Sequence, residues 1–303
     1  MPELPDVDVY VTHLQRRILG ATLEHIRVAS PFVLRSVEPP LRDASGKLVR
    51  GVSRMGKRIV LELDGDLALV VHLMIAGRLR WRERGAKVPG KLGLAAFDFT
   101  TGTLLLTEAS TRKRASLHLV RGQEALRAMD PGGIDPLGAT PEAFAEALRR
   151  ENHTVKRSLT DPRLFSGIGN AYSDEILWAA RMSPLRLTAK MTDDEIARLQ
   201  SATRETLVTW RDRLLAEGDD FPEKVTAFRD GMAVHGRYKQ PCPACGASVQ
   251  RIAYAENEAN YCAKCQTAGK LLADRSLSRL MHDDWPKTLE ELEARQARLG
   301  KGA

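Results

Sequence analysis

The sequence predicts an α+β, multidomain protein, and three observations carry that prediction. At roughly 150 residues per domain, the 303 residues make about two domains, each able to bury a core. Up to about Gly122 the chain alternates like β structure, whereas helical periodicity dominates beyond the Asp130–Gly138 stretch. All four cysteines fall between Cys242 and Cys265, so a small, locally held module follows. Hydrophobic residues at 43% and charged residues at 28% are globular values and exclude a disordered chain. The longest apolar runs, such as Leu67 to Ile75, end well short of a membrane span. The start Met1-Pro2-Glu3-Leu4-Pro5-Asp6 has no basic, apolar leader, so a cytoplasmic protein without a membrane partner is expected. A net charge of +7 and a pI near 9.3 favour a polyanionic partner, because clustered Lys and Arg gain from counterion release.

The elements follow in order. Val7, Val11, Leu14 and Ile18 share a helical face, with Asp6 and Asp8 in the first turn, where the helix dipole favours them. Arg58–Leu63 and Leu67–Leu73 form a hairpin around Asp64-Gly65-Asp66; Leu94–Phe99 and Thr103–Thr107 form another, joined by Thr101-Gly102. Asp130-Pro131-Gly132-Gly133-Ile134-Asp135-Pro136-Leu137-Gly138 reads as a linker. Thr140 caps a helix with Pro141 at its first position and Phe144, Ala147 and Leu148 inward. A further helical pattern begins near Asp161-Pro162, and another carries Tyr172, Ile176, Leu177 and Ala180. Thr192-Asp193-Asp194-Glu195 is a capping box opening a long helix whose face is Ile196, Leu199, Thr203, Leu207, Trp210 and Leu214. Lys270–Arg275 and Trp285–Leu299 read as a short segment and an amphipathic helix, an extension that covers the finger, contacts DNA or is simply solvated, rather than one with a separate function.

Three motifs carry chemistry. Cys242-x2-Cys245 and Cys262-x2-Cys265 offer two thiolate pairs for one tetrahedral metal, with no open position, so one structural Zn²⁺ is expected. Gly167-Ile168-Gly169-Asn170 sits between helical patterns; its glycines permit close approach of backbone N–H groups to a phosphate. A plain helix–helix turn explains the same residues. Removal of Met1 before the small Pro2 would leave a secondary amine. An α-amine titrates near about 8, low enough for a neutral nucleophilic fraction. Attack on a sugar aldehyde carbon would give an iminium directly, with Glu3 beside it to shuttle protons.

Pro2-Glu3-Leu4-Pro5-Asp6-Val7-Asp8, Gly56-Lys57, His72-Leu73, Gly167 to Glu175 and the four-cysteine finger stand in an order that resembles the formamidopyrimidine-DNA glycosylase/endonuclease VIII family. The resemblance spans residues 1 to about 267. It implies an N-terminal β-sandwich with flanking helices (1–128), a linker (129–138), a helix–two-turn–helix domain (139–235), a zinc finger (236–267) and an extension (268–303). It further implies a monomeric bifunctional DNA glycosylase/AP lyase of base-excision repair acting on damaged double-stranded DNA. Pro2 is then the nucleophile on a flipped nucleotide and Glu3 the general acid/base. Lys57, on a loop from Ser53 to Lys57, lies near the lesion, and Gly169 and Asn170 grip phosphate. Arg112 and Arg114 contact DNA.

The chain also departs from the family. Asp6 stands where a glutamate is usual. The wedge regions read Met74-Ile75-Ala76-Gly77 and Ser110-Thr111-Arg112-Lys113-Arg114, with Arg114 where the family has an apolar phenylalanine. Asn257 replaces the finger arginine that holds phosphates, although Arg251 and Lys264 keep its surroundings basic. The segment from Glu217 to Arg229 is short for the loop that closes over 8-oxoguanine in members recognising it. A noncatalytic DNA-damage-binding protein is the main alternative. A zinc-ribbon RNA-binding protein leaves the N-terminal motif unexplained.

Overall fold

The computed structural model describes residues 1–223, 225–226, 229–254, 257–272 and 285–299. The chain divides into two compact units, Met1–Asp135 with Leu207–Ala227, and Pro136–Thr206 with Phe228–Ala303. It therefore passes between units three times.

In the first unit, helix α1 (Leu4–Ile18) buries Val7, Tyr10, Val11, Leu14 and Ile18, the face its periodicity predicts. Eight strands follow: β1 (Thr22–Val28), β2 (Lys47–Met55), β3 (Arg58–Leu63), β4 (Leu67–His72), β5 (Gly77–Arg82), β6 (Gly93–Phe99), β7 (Gly102–Glu108) and β8 (Ser116–Arg121). Their order is β5-β7-β6-β1-β2-β3-β4-β8, and every pairing is antiparallel. β1 and β2 share only the pairs Thr22–Leu48 and Leu23–Lys47, so the sheet turns there into the two layers of a sandwich. Phe97, Phe99, Leu104 and Leu106 from one layer meet Ile59, Leu61, Leu69, Val71 and Leu117 from the other in one core. The short helix α2 (Gln123–Arg127) brings Leu126 over Val60, Ala68 and Val70 on the outer face.

Both predicted hairpins form. The second differs in one detail: Phe99 pairs with Gly102, so the turn is Thr100-Thr101 and Gly102 belongs to the strand. A Cβ on Gly102 would sit 2.4 Å from the Trp81 ring, which explains glycine there without any turn. Ser53 to Met55 are strand rather than loop, and Gly56-Lys57 alone connects Met55 to Arg58. Gly56 adopts φ +61°, as the first position of a tight hairpin turn requires.

The second unit holds α3 (Pro141–Arg149), α4 (Val155–Thr160), α5 (Asn170–Ala179) and the start of α6 (Asp193–Leu215). A hairpin of β9 (Val249–Tyr254) and β10 (Asn257–Cys262) follows, with α7 (Ala263–Thr267) and α8 (Leu289–Leu299). Thr140 Oγ1 accepts from Ala143 N at 3.2 Å, and the Phe144 and Phe165 rings pack 4.8 Å apart. Thr192 and Glu195 exchange both bonds of the capping box. Asp161-Pro162 ends a helix instead of starting one. A residue before proline avoids the helical region, Asp161 has ψ 114°, and its carboxylate holds the Arg163 N–H and guanidinium. The turns from there to Gly169 separate α4 from α5.

The extension is not simply solvated. Leu271 and Leu289 are buried against Ile252, Ala259 and Tyr261 of the finger hairpin, and Leu272 N–H donates to Tyr261 Oη at 2.8 Å. Residues 273–284 lie outside the described residues, so Ala273-Asp274-Arg275 has no structural account. Among the described residues no helix is long and apolar enough to cross a membrane.

Candidate active site and nucleic-acid interface

Three elements bring the N-terminal site residues together: the start of α1, the β2–β3 turn and the β4–β5 turn. Pro2 and Glu3 are buried, and Glu3 is the N-cap of α1. Glu3 N–H donates to Asp6 Oδ2 at 2.8 Å, and the two residues form a reciprocal capping box. The shorter carboxylate at position 6 thus fixes the backbone that presents Pro2. Burial lowers the α-amine of Met1 below its usual range; Arg78 and Lys57 push the same way, against Glu3 and Asp6. Lys57, on the β2–β3 turn, is also lowered by burial, and Glu3 opposes the shift. Glu3, Lys57 and the chain terminus therefore share one poorly solvated, mixed-charge environment.

The surrounding scaffold is stiff. Arg54, three residues before Lys57, donates to Asp8 at 2.7 Å and ties β2 to α1. Arg58 and His72 are directly opposed in the β3–β4 ladder. Burial, helped by Arg58 and Lys57, lowers His72 to about 4, so its imidazole is neutral at pH 7. After His72 the chain turns through Leu73–Gly77, where Gly77 N–H bonds Leu73 O at 2.9 Å. A Cβ on Gly77 would lie 2.2 Å from that oxygen, so only glycine closes the turn. Arg78 Nη1 donates to the carbonyls of Ile75 and Gly77, and the Ile75 side chain stands 57% exposed at the tip. Arg112 and Arg114 are exposed on another loop, whose backbone is held by Glu108: its carboxylate accepts from Arg114 N and Ala115 N.

In the second unit Gly169 caps α5, and Asn170 is its first residue, partly exposed at the dipole's positive end. Gly167 has φ +83°, which a glycine adopts without strain. Behind this terminus is a buried network that reading the motifs alone did not reveal. Lys156 pairs with Asp174, whose other oxygen lies 2.8 Å from His235 Nδ1. Glu175 accepts the backbone N–H groups of Ala233, Val234 and His235 at 2.7–2.9 Å. Burial still raises Glu175 above the ordinary range. Two adjacent acids inside an otherwise apolar helix were the available signal: such charges need dedicated partners.

The four cysteine Sγ atoms all lie within 4.8 Å of one another. Cys242–Cys265 and Cys245–Cys262 are 4.0 and 3.4 Å apart, bracketing the roughly 3.8 Å edge that ~2.3 Å Zn–S bonds would impose on a tetrahedron. Burial raises Cys262, and pushes Cys265 up to about 11. At Cys242 burial is outweighed by the Trp178 indole N–H and the backbone N–H groups of Ala244 and Cys245, giving about 7. A site for one structural Zn²⁺ fits this donor set, because a dication relieves the crowding of thiolates that these distances create. Asn257 begins β10 opposite Tyr254, and its side chain lies outside the described residues.

Comparison with known proteins finds matches in three segments, in sequence order. Residues 1–130 match the profile of the formamidopyrimidine-DNA glycosylase N-terminal domain, and residues 133–209 that of the H2TH domain of the same enzymes. Residues 239–268 match the zinc finger found in FPG and IleRS. A formamidopyrimidine-DNA glycosylase of Roseiflexus sp. (strain RS-1) is 33% identical over 280 residues, covering 88% of this chain and 100% of that protein. One from Heliobacterium modesticaldum is 32% identical over 279 residues with the same coverage. The Lactococcus lactis Fpg solved with abasic-site-containing DNA superposes with a TM-score of 0.76 at 26% identity, over 88% of this chain and 99% of that one. Three profiles in sequence order, and relatives matched from end to end, place the chain in the formamidopyrimidine-DNA glycosylase/endonuclease VIII family.

Proposed function

We propose that this protein is a bifunctional DNA glycosylase/AP lyase of base-excision repair, removing damaged, chiefly oxidised, bases from double-stranded DNA and nicking the abasic strand. The observation that carries this reading is the burial of Pro2 and Glu3 together at the start of α1, in an environment shared with Lys57. Related proteins carry the glycosylase name, and Lactococcus lactis Fpg has been solved with DNA containing an abasic site or an oxidised pyrimidine.

Once Met1 is removed, Pro2 N is a secondary amine. Pro2 is buried, and a buried amine is disfavoured in its charged form, which favours the neutral nucleophile. Its lone pair forms the bond to C1′ while the glycosidic bond breaks, the departing base keeps that electron pair and takes a proton, and the new ammonium gives up its N–H proton. Protonation of O4′ opens the sugar, leaving an iminium at C1′. Loss of a C2′ proton then expels the 3′ phosphate, and water releases the amine. Glu3, held by Asp6, gives and takes these protons. The Lys57 ammonium, Arg112, Arg114 and the α5 terminus at Gly169 and Asn170 receive phosphate charge. Residues 1–128, with the segment 207–227 that returns to their unit, supply the chemistry, and the rest of 139–235 with 236–267 the grip, in a monomer.

Borohydride reduction on duplex DNA with one abasic site tests the reading. A covalent adduct through residue 2, lost when the N-terminus is blocked, is expected. Tight binding of abasic DNA without an adduct would establish the noncatalytic damage binder instead.

A further inference from the structure

The segment after α6 reads Glu217-Gly218-Asp219-Asp220-Phe221-Pro222-Glu223, a charged stretch with one aromatic, as an exposed loop would be written. The structure does something else with it. The Phe221 ring lies 5.7 Å from Tyr10, 6.2 Å from His13 and 6.4 Å from Trp81, with the Arg17 guanidinium 5.5 Å over its face. Tyr10, His13 and Arg17 are spaced to share one face of α1, and Trp81 belongs to β5. Val225 is buried within the sandwich core. Glu223 receives both Nη groups of Arg82, also on β5. Arg16 and Arg17 reach the side chain and carbonyl of Asp219.

These contacts join two elements that are not neighbours in the sheet. β5 is an edge strand, paired only with β7, and α1 lies against β2 and β3. A further link is the Leu79 N–H bond to Tyr10 Oη at 3.4 Å. Both elements open into the candidate site: α1 starts beside Glu3, and Arg78, the second residue of β5, acts by its charge on the N-terminal amine. Tyr10 is about two turns, ~10 Å, from Glu3 along a rigid helix, so a tilt at Tyr10 moves the catalytic end.

We propose that Asp219, Phe221, Glu223 and Val225 form a docked strap whose clasp on α1 and β5 sets the distance between Glu3 and Arg78, with Phe221 and Glu223 as positioning residues for the reaction. The inference rests on the lyase reading above. A fixed strap differs in kind from a loop that closes over the extruded base, so selection of the base falls to other parts of the site.

The test compares wild type with Phe221→Ala, Glu223→Gln and the charge swap Arg82→Glu/Glu223→Arg. Single-turnover cleavage at saturating abasic-site duplex and affinity for the same DNA are both measured. The cleavage rate should fall about 10- to 100-fold in Phe221→Ala, as expected of ångström-scale misplacement. Affinity should change less than about twofold, and the swap should recover most of what Glu223→Gln loses. A merely structural strap would lower the melting temperature and leave the rate of folded enzyme at the wild-type value, overturning the inference while wild-type trapping stands. Should Phe221→Ala not fold, the Glu223→Gln rate and its recovery in the swap decide. No trapping in wild type would sink the lyase reading itself.

Discussion

Arg54 Nε donates to Asp8 Oδ1 at 2.7 Å, and the two side chains are only 12% and 18% exposed. The pair pins the first turns of α1 to the end of β2, so it holds Glu3 and Lys57 in register. Burial nevertheless raises Asp8 above the usual carboxylate range despite Arg54. Desolvation therefore exceeds the attraction, the common outcome for enclosed ion pairs.

An asymmetry follows between two single substitutions. Arg54→Met leaves an enclosed carboxylate with a weakened partner set and should cost about 3 kcal/mol. Asp8→Asn removes the group that resists ionisation and should cost less, about 1 kcal/mol. Because the Asp8 carboxyl is raised in the folded state, its share of stability increases as pH falls toward the acid range and is lower at neutrality. Urea melts of both variants at pH 5 and 7.5 check this; a larger loss for Asp8→Asn at pH 7.5 would contradict it.

His72 gives a pH dependence of the opposite sense. Its imidazole is lowered from about 6.5 in an unfolded chain to about 4 in the fold. Above about pH 6.5 it is neutral in both states and its environment costs nothing. As pH falls through that range the unfolded chain takes up the proton first, so stability drops, by at most about 3 kcal/mol near pH 4. His72→Gln should flatten part of the decline between pH 6.5 and 4, with His13 and His118, also lowered by burial, accounting for the remainder. Identical pH profiles for the two proteins would rule out His72 as a contributor.

Elemental analysis should find one Zn²⁺ per chain. Cys262→Ser should release it, since Cys262 both ligates and anchors α7 through the Cys265 N–H. The β9–β10 amides should then exchange freely while those of β3 and β4 keep their protection. Retained metal at full occupancy would remove Cys262 from the ligand set.

What could be read from the sequence was local, and what could not was brought together from far along the chain. The α1 face, the Thr192–Glu195 box and the cysteine spacing need only neighbours within a few residues, and each formed as expected. Asp161-Pro162 was misjudged because the same pair can open or close a helix, and only the preceding α4 decides. Pro2, Glu3 and Lys57 could be named from motif order, but Asp6 as the residue that locks Glu3 needed the backbone. The partners of Asp174, Phe221 and Leu289 lie about 20 to 200 residues away, beyond the reach of any local pattern.

The extension beyond the finger supplies one such case with a measurable consequence. Removing residues 269–303 would uncover Ile252 and Tyr261 and take away the Leu272 N–H that engages the Tyr261 hydroxyl. Loss of two buried leucines should destabilise the finger by about 3–5 kcal/mol. Faster chelator stripping of Zn²⁺ from the truncated chain is the expected outcome; an unchanged rate would show that the finger stands without its cover.

The last prediction concerns Asn257, which starts β10 where the family carries a phosphate-holding arginine. Arg251 on β9 is already engaged by Glu258 at 3.3 Å, so the finger keeps less free positive charge than its basic residues suggest. A neutral amide releases no counterion on meeting a phosphate. Asn257→Arg should therefore tighten DNA binding and steepen the dependence of log affinity on log salt by about one unit if the new guanidinium reaches one phosphate. The gain should be as large on undamaged as on abasic duplex, because phosphate contacts carry no base information. If position 257 belongs instead to a rearranged recognition surface, the variant would bind more tightly and excise its true substrate more slowly. An unchanged salt slope on both duplexes would mean that the start of β10 does not face phosphate, and that the family role does not transfer to this residue.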